Sequence, residues 1–209
     1  EGCGCIVSGD KIESNELAKG FPTQTYVEND TIYWPHGDRL RDTVLNEVDV
    51  DLLRRIVAQT IDSNQAARAI VVSYKNLLLA EDYAKGIDRN TRLLGWSMTK
   101  TMSNALIGNL VKNGKINIDQ PPGIPEWQND GRKEITMNNL LQMSSGLDWE
   151  EDYSKISNVT TMLYLVPDMA SHALSSALIS KPGDEWVYSS GTSNIISKII
   201  RSKWSTLEE

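Results

Sequence analysis

The first sustained hydrophobic period begins after Asp49. Leu52, Leu53, Ile56, Val57, Thr60 and Ile61 recur at helical spacing, which predicts an amphipathic helix over 50–63. The period then shortens. Ala69 to Tyr74 is a β-branched run, Lys75-Asn76 is turn-like, and Leu77 to Tyr83 is a second run. Two short runs about a two-residue turn predict a β-hairpin over 69–83. Helical spacing returns over 98–113, where Ala105, Leu106, Leu110 and Val111 line one side and Gly114 stops the helix. Asp119 to Gly123 contains Pro121-Pro122 and must be loop, because proline has no N–H to continue a helix. Thr136 is placed to cap a short helix through Met143, ended by Ser144-Ser145-Gly146. Asp168 is placed to cap a further helix to about Ser180, stopped by Pro182-Gly183. Ile195, Ile196, Ile199 and Ile200 define a last helix from about Thr192 to Trp204. Its Lys198, Arg201 and Lys203 form a solvated face. Before residue 45 no period persists. The chain therefore reads as an irregular N-terminal extension over 1–48 and one domain over 49–209, with a helical region from about 98 to 205.

Composition narrows the classes. The 209 residues are 40% apolar and 23% charged, a folded rather than a disordered balance. No run approaches eighteen apolar residues, so the pattern contains no membrane span. A net charge of −7 argues against a nucleic-acid partner, which calls for a basic face. His36 and His172 stand apart, and Cys3 and Cys5 are separated by one residue, too close for an easy mutual disulfide. HExxH and paired CxxC zinc motifs are absent, and no metal or organic cofactor is called for. One hairpin is marginal as a sheet by itself. The expectation is that these residues are the N-terminal part of a larger fold.

The candidate chemistry is nucleophilic. A reactive serine needs a partner for its proton and donors for the oxyanion. The G-x-S-x-G elbow is absent, and neither histidine lies near a candidate serine in sequence, so a Ser-His-Asp triad has no support here. Gly95-Trp96-Ser97-Met98-Thr99-Lys100 offers serine with lysine instead. On a helix starting at Ser97, positions i and i+3 share a face, so the Lys100 ammonium can approach the Ser97 oxygen. The helix N-terminus adds free N–H groups and the positive end of the dipole. Spacing alone is weak evidence, since Ser8-Gly9-Asp10-Lys11 has it too, in a loop with no following helix. A capping serine with a solvated lysine one turn on has the same pattern.

Context separates the two. Ser97-Met98-Thr99-Lys100, preceded by the hairpin, resembles the S-x-x-K motif of the serine β-lactamase and penicillin-binding-protein superfamily. Leu110 to Ile116 is similar to that family's L-x-x-x-G-K-[IL] helix end. Ile135 to Leu147 is similar to its I-T-[IL]-x-x-L-L-x-[MH]-[TS]-S-G-L stretch, and Pro182 to Ser190 to its P-G-x-x-[FW]-x-Y-S-[NS] stretch. Four ordered matches cover about 70 to 200. The resemblance implies an α/β (α+β) fold, a β-lactamase-like sandwich of an antiparallel sheet and a mostly helical region, expected to be incomplete at the C-terminus, with the later sheet strands absent. It implies a serine hydrolase that cleaves a small-molecule amide or ester through an acyl-enzyme on Ser97.

The same resemblance assigns roles. Tyr188 matches the tyrosine of the family's Y-x-N motif and, beside Lys100, would take the Ser97 proton and pass it to the leaving group. A phenol must titrate below its usual range for that, and a neighbouring ammonium is a means. Ser190 stands where the motif has Asn. A hydroxyl lacks the paired donor and acceptor of an amide, so the reading is esterase or amidase, on the 6-aminohexanoate-oligomer hydrolase side, rather than a strong β-lactamase. Tyr153, Trp186 and Ser190 are candidates for substrate contact. Trp149 and Trp186 are equally placed for core packing, and Glu150-Glu151-Asp152 reads as a solvated acidic run. The family's K-T-G or H-x-G strand, which supplies one oxyanion N–H, is expected after residue 209. Cys5 to Gly9 loosely resembles the start of exported members, giving a periplasmic or secreted expectation. The alternative reading is a non-catalytic binding or scaffold module, or an inactive fragment. Oligomeric state leaves no mark in the sequence.

Overall fold

The computed structural model describes residues 28–41 and 45–203. Cys3, Cys5, the Ser8–Lys11 repeat of the S-x-x-K spacing and Trp204 lie outside the described residues. The fold is mixed α/β, with a two-stranded antiparallel sheet and several helices. The chain divides into two compact units, Thr23–Leu94 and a second containing all residues from Gly95 onward.

In the first unit, helix α1 (Val50–Ser63) is capped by Asp49, whose side chain accepts from the Leu52 N–H at 2.8 Å. Strands β1 (Ala69–Tyr74) and β2 (Leu77–Tyr83) pair across Lys75-Asn76. Both turn residues have positive φ, 50° and 58°, the backbone of a type I′ turn whose twist suits a two-residue hairpin. The register steps between Val72 and Ser73, leaving Leu79 as an extra residue on β2. That bulge breaks the in-out alternation. Leu79 and Ala80 are both buried, and with Val57 and Ile61 of α1 they make this unit's core. The Arg54 side chain holds the bulge by donating to the Leu79 carbonyl.

In the second unit, a 3-10 turn (Trp96–Met98) leads into α2 (Thr99–Lys112). Gly114, at φ +68°, ends α2. Its N–H bonds the Val111 carbonyl while the Lys115 N–H bonds the Leu110 carbonyl, a Schellman closure. Then follow α3 (Met137–Leu141), α4 (Asn158–Tyr164), α5 (Met169–Leu174) and α6 (Ser190–Ser202). Trp127, Ile135, Met137, Leu140, Val159, Met162, Ile107, Leu110 and Ile195 are buried almost completely and form one core. Each such side chain contributes roughly 1.5–3 kcal/mol by leaving water. The Trp127 indole N–H is satisfied there by the Leu174 carbonyl at 3.0 Å.

Several elements differ from expectation. The helix capped by Asp168 ends at Leu174, not near Ser180. Its Leu174 carbonyl and the Ser176 carbonyl accept from the Arg132 guanidinium, and the chain beyond runs extended, with Leu178 bridging Leu147. The Thr136 helix stops at Leu141, because Met143 turns left-handed at φ +58°. Ser189 rather than a later residue caps α6, which starts at Ser190. On α2 the buried face is Ile107 and Leu110, while Ala105, Leu106 and Val111 are exposed. Apolar residues occupy two faces of that helix, and of the four expected on the core side only Leu110 is buried. Helix α4 was not expected. Its Ser157-x-x-Thr160 capping box uses a hydroxyl where glutamate is the usual signal.

Candidate active site

The site is assembled from three segments of the second unit. Ser97 is exposed on the 3-10 turn before α2. The residue before it, Trp96, holds φ at +43°, a left-handed conformation that costs a bulky residue on the order of 1–3 kcal/mol. Lys100 follows in the first turn of α2 and is half-buried. Its Nζ donates to Ser97 Oγ at 3.2 Å, as i, i+3 spacing allows. Tyr188 comes from 91 residues later and donates its phenolic O–H to the same oxygen at 2.7 Å. The Lys100 Nζ also lies 4.7 Å from the Tyr188 ring centroid. The Lys100 ammonium, and after it the hydrogen bond with Ser97, hold the Tyr188 phenol below the ordinary tyrosine range against the upward push of burial.

Backbone bonds fix where Tyr188 stands. The Val187 N–H donates to the Met143 carbonyl at 2.8 Å, and Gly183 N–H to the Ser144 carbonyl at 2.8 Å. Gly146 makes this crossing possible. At φ +76°, a Cβ on it would lie 2.2 Å from the Ser180 carbonyl oxygen. On the other side of Tyr188, Ser189 caps α6 by accepting from the Thr192 N–H.

A recess of about 220 Å³ lies beside Ser97 and Lys100, with Tyr153, Met162, Leu163, Ser190 and Asn194 in its wall. Tyr153 and Ser190, two of the three candidates for substrate contact, are both in that wall. Trp186 does not line the recess. It is largely exposed, with its ring 6.3 Å from that of Tyr188. Trp149 is core, packed on Gly191. Ser190, Ser193, Asn194 and Ser197 form a small polar stripe on α6, at i, i+3, i+4 and i+7, opposite the isoleucines. That spacing was a readable signal for a helix face turned to a polar recess.

The acidic run requires a correction. Glu150 and Asp152 are at the surface near Lys155, as a solvated run should be. Glu151 is not. Its carboxylate accepts from Trp149 Nε1 at 2.6 Å, Tyr153 O–H at 2.8 Å, Ser190 N–H at 2.9 Å and the Ser190 hydroxyl. Burial pushes this carboxyl up, but the four donors outweigh it and hold it below the usual carboxylate range. Burial, and also the Glu151 carboxylate, push the Tyr153 phenol up. Sequence reasoning missed Glu151 because its partners are spread over forty residues. Among the described residues, no three His, Cys, Asp or Glu side chains converge on a possible metal position. Nor is any helix among them long and apolar enough to cross a membrane.

Comparison with known proteins now decides the family. Residues 53–202 match the Beta-lactamase family model. The chain belongs to the beta-lactamase family. Two solved structures share the fold. One is named "Putative 6-aminohexanoate-dimer hydrolase from Bacillus anthracis", with TM-score 0.59 and 19% identity over 73% of this chain and 44% of that one. The other is named "Crystal structure of putative beta-lactamase from Bacteroides dorei DSM 17855", with TM-score 0.57 and 22% identity over 73% of this chain and 46% of that one. The chain thus spans less than half the length of these two structures. No curated protein matches it.

Proposed function

We propose that this chain carries the nucleophile and proton-transfer groups of a serine hydrolase that cleaves an amide or ester bond through an acyl-enzyme on Ser97. The observation that supports the reading is the convergence of Lys100 Nζ and Tyr188 O–H on one exposed alcohol oxygen. With Tyr188 ionised beside the Lys100 ammonium, the Ser97 hydroxyl gives its proton to the phenolate as Oγ bonds the substrate carbonyl carbon. The Ser97 backbone N–H, on the 3-10 turn that leads into α2, donates to the oxyanion. Collapse breaks the carbonyl-to-leaving-group bond, and Tyr188 returns the proton to the departing nitrogen or oxygen. A water then gives its proton to the phenolate, attacks the acyl carbon, and releases Ser97 reprotonated. A neutral or weakly polar acyl group suits the recess, whose wall joins Met162 and Leu163 to Ser190 and Asn194.

A second reading, a non-catalytic binding module, draws on one observation. The Ser190 hydroxyl is engaged by Glu151 rather than left to a substrate. Treatment with a fluorophosphonate separates the two. The hydrolase reading expects one covalent adduct on the Ser97 peptide, lost in Ser97→Ala. An unlabelled protein, or an adduct that persists in Ser97→Ala, overturns it.

A further inference from the structure

We propose that Glu151 is a positioning residue that clamps the Tyr188 segment against the loop bearing Tyr153, and so holds the phenol over Ser97. The proposal rests on the hydrolase reading only for its effect on rate. Two contacts lock this loop to the start of α6. Glu151 takes both the backbone N–H and the hydroxyl of Ser190, the first residue of that helix, where a carboxylate is favoured by the free N–H groups and the dipole. One residue on, the Trp149 ring lies so close to Gly191 that a Cβ there would be 2.4 Å from it. The same carboxylate holds Trp149 through its indole N–H and Tyr153 through its phenol.

Tyr188 sits between these anchors and the Val187-to-Met143 bond. Its backbone is therefore fixed on both sides, and its O–H arrives 2.7 Å from Ser97 Oγ. Four donors saturate Glu151, so it has little capacity left to bind a substrate group itself. Its action runs through Tyr188 and Ser190. The charged or titratable groups that act on the phenol are Lys100 from α2, and Glu151 and Tyr153 from the loop.

Glutamine keeps the shape but not the charge. With its carbonyl on the Trp149 and Ser190 N–H groups, its NH2 faces the Tyr153 and Ser190 hydroxyls, which must turn from donors to acceptors. All four bonds lose their charge assistance. Aspartate keeps both oxygens on a shorter arm. The test is a double-mutant cycle on the rate of Ser97 labelling by a fluorophosphonate, with hydrogen exchange of the Trp149 indole N–H and the Ser190 amide read in parallel. Glu151→Gln is expected to slow labelling at least about 10-fold, the scale of a small misplacement of a reacting group. Glu151→Asp should recover part of that loss, and both N–H groups should exchange faster in Glu151→Gln. In a Tyr188→Phe background, Glu151→Gln should add nothing, because its effect passes through the phenol. Losses that multiply across the two substitutions, or unchanged exchange in Glu151→Gln, overturn the proposal. If wild type is never labelled but exchange responds as expected, the clamp stands and the hydrolase reading falls. Should Glu151→Gln not fold, Ser190→Ala and Tyr153→Phe, which remove one donor each, take its place in the same cycle with the same expected order.

Discussion

Helices α6 and α2 pack against one another in the second unit, yet they distribute their apolar residues in opposite ways. On α6, Ile195, Ile196, Ile199 and Ile200 are all buried, and the opposite side carries Ser190, Ser193, Asn194 and Ser197. On α2, only Ile107 and Leu110 are buried, while Met102 and Leu106, with Met98 just before the helix, form a second stripe open to water. A helix with one apolar face declares its orientation in the sequence; a helix with two does not. The difference also divides labour. Helix α6 stabilises the unit and presents its N-terminus to Tyr188 and Glu151. Helix α2 carries Lys100 in its first turn, next to the exposed turn that carries Ser97.

Substitutions that swap the two behaviours should sort by size. The largest loss is expected for Ile195→Ala, which empties a site in the middle of the core. It should cost about 2–5 kcal/mol in chemical denaturation. Gly191→Ala comes next. The added methyl must displace the Trp149 ring, an overpacking cost of about 1–3 kcal/mol, and it should also slow Ser97 labelling because Trp149 and Glu151 move together. Met102→Ser, on the open stripe of α2, is expected to change stability by less than about 0.5 kcal/mol. A loss like that of Ile195→Ala at this position would mean that the stripe is covered, and the contrast between the helices would not hold.

The sequence made α1, the hairpin and the core face of α6 legible, because each carries one period without competition. The meeting of Ser97, Lys100 and Tyr188 was also legible: i, i+3 spacing allowed the first contact, and the ordered motifs set Ser97 apart from Ser8 and supplied Tyr188. The rest was hidden for physical reasons. The bulge at Leu79 is a register event between two strands, which no single run displays. The early end of α5 depends on Arg132, forty-two residues upstream, taking the Leu174 carbonyl. Glu151 reads as one more acidic residue until Trp149, Tyr153 and Ser190 are folded around it. Acidic runs at a surface rarely concentrate four donors on one carboxylate, and the run itself carries no sign of it. Interactions between distant segments thus account for most of what periodicity failed to give.

The pH dependence of Ser97 labelling, compared between wild type and Tyr188→Phe, tests the central claim most directly. On the proposed mechanism Tyr188 is the base, so labelling should be slow while the phenol is protonated and should rise with pH as it ionises. The Lys100 ammonium holds that ionisation below the ordinary tyrosine range, so the rise should come correspondingly early. Tyr188→Phe should remove the rise and lower the plateau by about 100-fold or more, the usual contribution of a positioned proton acceptor. Identical profiles and rates in the two proteins would contradict the account.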